Sequence, residues 1–243
     1  MDMKLSKRLL LKGACCGALT GLAATAASTA FVSAAAAAET AHTAVPTGLS
    51  PDEALALLKK GNEDFVADKA PVLHIDRKRR LEIAEKQHPF AVLVGCSDSR
   101  VPPELLFGRG LGDLFIVRVA GNTVGLTGLG SIEYAVDHLG TPLIVVLGHE
   151  RCGAVGAAIS LVKEHVSFDT AIEAMVAPIL PAVLKAQTMD GDLLDNSVRE
   201  NVANVVARLK TTGGVIGEKL EAGTLKIVGA RYDLDEGKVE FIA

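Results

Sequence analysis

The 243 residues, 49% hydrophobic and 4% aromatic, suffice for one sizeable globular core. A formal net charge of −4 argues against a nucleic-acid partner, and the balance becomes more acidic once the basic N-terminal residues are set aside.

Those N-terminal residues read as an export signal over 1–38. Lys4, Lys7, Arg8 and Lys12 precede an uncharged Ala- and Gly-rich stretch, Gly13 to Ala38, that closes on several Ala-x-Ala cleavage choices. The order Ser6-Lys7-Arg8-Leu9-Leu10-Leu11-Lys12 is similar to a twin-arginine signal with Lys for the first Arg, the kind that sends a folded protein across a membrane. The stretch is too weakly hydrophobic to favour a lasting membrane anchor, so contact with the membrane is expected only during export, to a periplasmic or otherwise exported location. Cys15 and Cys16 then leave with the signal.

A flexible linker is expected over 39–48, then a single domain over 49–243. Ser50-Pro51-Asp52-Glu53 opens a helix, with Ser at the N-cap, Pro at the first position and Glu three residues on. Ala54, Leu55, Leu58, Asn62 and Phe65 fall near one face of it, and a second helix is predicted from Asp76 to Lys86, ended by His88-Pro89. Strands then alternate with helices: Phe90 to Gly95, Asp113 to Val119, a helix from about Leu126 to Leu139, Leu143 to Gly148, and a helix opening near Gly153. Gly125-Leu126-Thr127-Gly128-Leu129-Gly130 lacks the spacing of a nucleotide loop and reads as a tight loop opening a helix. Val166 to Leu194 reads as helices interrupted by Pro178 and Pro181, and Ser197 to Lys210 as a stronger helix. Thr224 to Asp233 and Lys238 to Ile242, flanking Asp235-Glu236-Gly237, form a hairpin. The fold class expected is α/β: a parallel sheet flanked by helices, with an antiparallel C-terminal edge strand.

Two of the strands end in chemistry. Cys96-Ser97-Asp98-Ser99-Arg100 follows the first apolar run, and His149-Glu150-Arg151-Cys152 follows the third. Two thiolates, one imidazole and one carboxylate make a divided zinc site, and open α/β sheets carry their chemistry at such carboxyl strand ends. Zinc on two thiolates and one imidazole leaves a fourth position, where a bound water turns into a nucleophile near neutral pH. Asp98 closes that position when it binds the metal; paired with Arg100 it leaves the metal and accepts a hydrogen bond from the zinc-bound hydroxide. The helix after Cys152 is expected to lower that thiol's pKa. The competing reading of two cysteines in an exported chain is one disulfide, which folding around zinc before export would prevent. His42, His74, His88, His138 and His165 show no ligand spacing.

Cys-x-Asp-x-Arg followed some fifty residues later by His-x-x-Cys resembles the metal motif of the β-class carbonic anhydrases, and the resemblance spans about Ser50 to Ile242. It implies one Zn2+ per chain on Cys96, His149 and Cys152 with Asp98 as displaceable fourth ligand, Asp98 and Arg100 as catalytic residues, and reversible hydration of carbon dioxide to bicarbonate. It implies a homodimer or dimer-based oligomer. Gln87, nine residues before Cys96, matches a substrate-binding glutamine of plant-type members; Phe115 and Tyr134 match pocket-lining aromatics, and Gly153 follows the last ligand as in the family. Leu93 stands where some bacterial members carry Trp in an inhibitory bicarbonate pocket, implying that this control is missing. A carbon disulfide or carbonyl sulfide hydrolase on the same scaffold, or a non-catalytic zinc-binding or redox-responsive protein, are the alternatives that the sequence leaves open.

Overall fold

The apolar run after Pro89 forms an interior strand of the sheet, as its two-sided burial requires. The computed structural model describes residues 48–69, 71 and 73–242; the expected signal and all of the expected linker except Gly48 lie outside the described residues. In chain order the elements are α1 (Pro51–Val66), α2 (Arg77–Ile83), β1 (Ala91–Gly95), α3 (Pro103–Leu106), β2 (Leu114–Arg118), α4 (Leu126–Asp137), β3 (Leu143–His149), α5 (Gly153–Lys163), α6 (Ala171–Val176), a 3₁₀ turn (Ala177–Ile179), α7 (Leu180–Ala186), α8 (Leu193–Lys210), α9 (Gly214–Glu221), β4 (Lys226–Tyr232) and β5 (Val239–Phe241). The sheet order is β2-β1-β3-β4-β5, parallel except for the antiparallel pair β4–β5. None of the described helices is long and apolar enough to cross a membrane.

Pleating sends alternate residues of one strand to opposite faces. Val92, Val94, Ile144, Val146 and Ile227 join α4, α8 and α9 in one buried cluster, while Ala91, Leu93, Leu143, Val145, Leu147 and Ala230 join α1 and α3 in another. Both faces are covered, so β1 throughout and β3 up to His149 are apolar and read as continuous runs rather than alternations. Leu or Ile leaving water contributes about 1.5–3 kcal/mol per side chain, which makes these strands the main source of stability. Helix α8 approaches β3 so closely that a Cβ on Gly148 would stand 2.6 Å from Val202 Cγ2.

Local signals account for most boundaries. Ser50 and Glu53 form the expected reciprocal capping box on α1. Pro178 and Pro181 lie at the starts of the 3₁₀ turn and α7, where a missing amide costs nothing, so they begin helical segments as well as dividing them. The helix expected from about Leu126 begins there, with Gly125 at its N-cap and Gly128 and Gly130 inside its first turns. Helix α8 starts at Leu193 rather than Ser197, because the Asp192 side chain accepts the Asp195 amide at 2.7 Å. Helix α2 ends three residues before Lys86. The helices α3 and α9 were not anticipated.

Asn62 lies on the apolar face of α1 for a reason visible only in three dimensions. Its amide nitrogen donates to the Gly237 carbonyl at 2.9 Å and the Leu106 carbonyl at 3.3 Å, and its oxygen accepts the Val239 amide at 2.7 Å. It thereby ties α1 to α3 and the C-terminal hairpin. Asn62→Ala strands buried backbone groups and is expected to lower stability by about 3 kcal/mol, read as a fall in the urea midpoint with unchanged slope.

Candidate metal centre

Parallel pairing builds the site. Gly95, the last residue of β1, lies opposite Leu147 of β3, so Cys96 emerges beside the strand that ends in His149. Three residues later Cys152 occupies the N-cap of α5. The ligand atoms of Cys96, His149 and Cys152 all lie within 4.8 Å of one another, and the three residues are buried at 4%, 0% and 2% exposure. Both cysteines are free thiols, so the disulfide reading is not what this structure shows.

The histidine tautomer follows from its neighbour. His149 Nδ1 lies 2.8 Å from the Glu150 carbonyl oxygen, which only accepts, so Nδ1 carries the proton and Nε2 presents a lone pair. Nε2 is buried and has no hydrogen-bond partner. An orphaned imidazole lone pair facing two sulfurs is a donor set that a borderline-soft cation such as zinc satisfies, with one tetrahedral position left over. The residues fit the metal.

Protonation within the thiol pair is divided unequally. Cys96 is pulled well below the usual thiol range by the hydrogen bond from Cys152, helped by the Gly121 amide, against the effect of burial. Cys152 is pushed up by that same hydrogen bond and by burial, although the amides of Ala154 and Val155 favour its thiolate. The amides that open α5 act on Cys152 in the expected direction, and the neighbouring Cys96 sulfur and burial outweigh them.

Asp98 sits at the edge of this group with Oδ2 3.8 Å from His149 Nε2. It is turned toward Arg100, accepting Nε at 3.0 Å and the backbone amide at 2.9 Å on Oδ1, and Nη2 at 2.8 Å on Oδ2. The Arg100 guanidinium holds the Asp98 carboxyl far below the usual carboxylate range, and Asp98 raises Arg100 in return. The sequence reading missed Arg118. Its Nε donates to the Cys96 carbonyl at 2.7 Å and its Nη2 to the Asp98 carbonyl at 2.5 Å, clamping the backbone from which both side chains project. A cation ending an apolar strand, level with Gly95 on β1, was the available signal.

Of the other named residues, Gly153 is placed next to the site as the first residue of α5. Gln87 is exposed in the segment before β1, at the opposite end of that strand from Cys96. Phe115 lies opposite Val92 in β2, and Tyr134 on α4 packs its ring 6.5 Å from Phe115. Within one chain, then, these three are not gathered with the metal ligands. Leu93 is fully buried in the sheet. A second acidic group, Glu150, Asp233 and Asp235, is engaged with Arg151 and Arg231 in fastening the hairpin turn.

The model of the family described as carbonic anhydrase matches residues 91–239. The chain is 41% identical over 191 residues to carbonic anhydrase 2 of Mycobacterium tuberculosis, covering 78% of this chain and 91% of that protein. It is 42% identical over 193 residues to a carbonic anhydrase of Mycolicibacterium smegmatis, covering 79% and 93%. Among solved structures it resembles the β-carbonic anhydrase CcaA, with TM-score 0.61 and 28% identity over 78% of this chain and 97% of that one. It also resembles the Coccomyxa β-carbonic anhydrase in complex with acetazolamide, with TM-score 0.61 and 26% identity over 77% and 84%. With the fold, the matched region and the strand-end cysteines in agreement, this chain belongs to the carbonic anhydrase family, in its β class.

Proposed function

We propose that this enzyme carries out the reversible hydration of carbon dioxide at one zinc ion held by Cys96, His149 and Cys152, with the Asp98–Arg100 pair controlling the fourth position. The observation that carries the reading is the buried, partnerless Nε2 of His149 facing two thiols. Zinc, when bound there, supplies a Lewis acid that makes water a nucleophile near neutral pH.

The chain's own residues do the rest. Asp98, held ionised by the Arg100 fork, is an acceptor and not an acid at neutral pH; Oδ2, the oxygen nearer His149, orients the attacking water through its proton. Arg118 fixes the backbone of Cys96 and Asp98, so the carboxylate moves by side-chain rotation against a stationary frame. If the fork opens, nothing else within the pair holds Asp98 away from the metal, and the fourth position closes. A non-catalytic site would have no use for a bidentate arginine on the one carboxylate able to close it.

Arg100→Ala is expected to keep zinc near one per chain while cutting hydration activity by roughly 10- to 100-fold. Stopped-flow hydration with zinc quantified in the same sample reads both, and full activity in the variant would sink the switch.

The pocket residues Gln87, Phe115 and Tyr134 call for a second copy in this reading. Strand β2 is an edge strand whose residues are all half-exposed, and Tyr134 beside it is 47% exposed. An open apolar edge favours coverage by a partner, and we place the homodimer contact there. Tyr134→Arg is expected to lower the mass found by light scattering toward that of one chain and to reduce activity; an unchanged assembly would move the interface elsewhere. We further propose export in the folded, metal-loaded state, which predicts activity in a periplasmic fraction carried by a chain shortened by about the first 38 residues.

A further inference from the structure

We propose that Asn201 is a positioning residue for the metal centre: it holds the loop whose Gly121 amide donates to the Cys96 sulfur, and so sets how much electron density that sulfur gives the metal. This rests on the zinc reading above. The Gly121 amide lies 3.3 Å from Cys96 Sγ. Asn201, on α8 and only 1% exposed, donates from Nδ2 to the Gly121 carbonyl at 2.8 Å.

The loop has reason to need an anchor. Gly121 has φ +77° and Asn122, next to it, +46°, two successive left-handed residues that the chain does not favour by itself. A Cβ at Gly121 would lie 2.6 Å from Ile179 Cδ1 and 3.2 Å from Ala154 Cβ, so the backbone is packed closely against the 3₁₀ turn and α5. Packing on one side and Asn201 on the carbonyl together hold in place the residue whose amide faces the sulfur. Donation to a metal-bound thiolate withdraws charge from it, weakening it as a base and leaving the metal a stronger Lewis acid; partners outside the ligand set commonly tune metals this way.

A merely structural asparagine would affect stability alone, so the test reads the sulfur. In the cobalt(II)-substituted protein, Asn201→Ala is expected to move the sulfur-to-cobalt charge-transfer band to longer wavelength, because the sulfur regains the charge that the Gly121 amide withdrew. Arg208→Ala is the control: Arg208 Nη1 binds the same loop further on, at the Val124 carbonyl at 2.8 Å, and should leave the band in place. A folded Asn201→Ala protein with the wild-type band overturns the proposal. Should that variant not fold, the wild-type protein loaded with ¹¹³Cd decides: a scalar coupling between cadmium and the Gly121 amide proton is expected, and its absence at that amide overturns the proposal equally. A wild-type protein that takes up neither cobalt nor cadmium on its thiols would instead sink the zinc reading itself.

Discussion

The pairing of β1 with β3 is the constraint on which the centre depends. Cys96 and His149 are separated by more than fifty residues, and only the parallel register that sets Gly95 against Leu147 brings their strand ends level. A slip of one residue would exchange the two faces of β1, sending Val92 and Val94 toward α1 and Leu93 toward α8. Because both faces are packed, that slip disturbs two cores at once. The hydrophobic burial that stabilises the sheet is thus also what aligns the donors, and the precision of the site comes from the fold without a separate device.

Three buried donors gathered in this way are unfavourable by themselves. Two sulfurs and an imidazole lone pair repel when brought together, and His149 Nε2 has no hydrogen-bond partner to offset its burial. A divalent cation bound there would satisfy all three donors, so metal binding would support folding. Asp98 belongs to a different balance. Its carboxylate is close enough to join the donors but is outcompeted by three hydrogen bonds from Arg100, two of them in a planar fork.

The sequence made the site ligands legible because each sits at the end of an apolar run, where residue type and position speak together. The capping box at Ser50 and the hairpin around Gly237 were legible for the same reason: their partners are neighbours in the chain. What escaped was held by distant contacts. Asn62 reads as a polar misfit on an apolar helix face until Gly237 and Val239, over 170 residues away, are brought to it. Gly121 and Asn201 carry no local mark, since their partners lie on other elements, and Arg118 is marked only as a cation ending an apolar strand. Short α3 and α9 lack the length over which a helical period can be seen. Gln87, Phe115 and Tyr134 could be named by spacing and yet not located, because spacing along a chain does not say which end of a strand, or which copy, a side chain will face.

The segment between the last two ligands shows how the rest of the chain serves this geometry. Arg151 is a non-glycine residue at φ +52°, a conformation costing about 1–3 kcal/mol that persists only where its surroundings impose it. Its fork on Asp235, at 2.8 and 2.7 Å, lies in solvent, where screening leaves an ion pair too weak to impose it. The deciding contacts flank it: the Glu150 amide on the Tyr232 carbonyl at 2.9 Å, the Glu150 carboxylate on the Leu234 amide at 3.2 Å, and the buried side chains of His149 and Cys152 on either side. A left-handed residue there lets the chain turn from strand to helix within three residues and return Cys152 to His149. The C-terminal hairpin, remote in sequence and itself without a ligand, is therefore part of what closes the donor set.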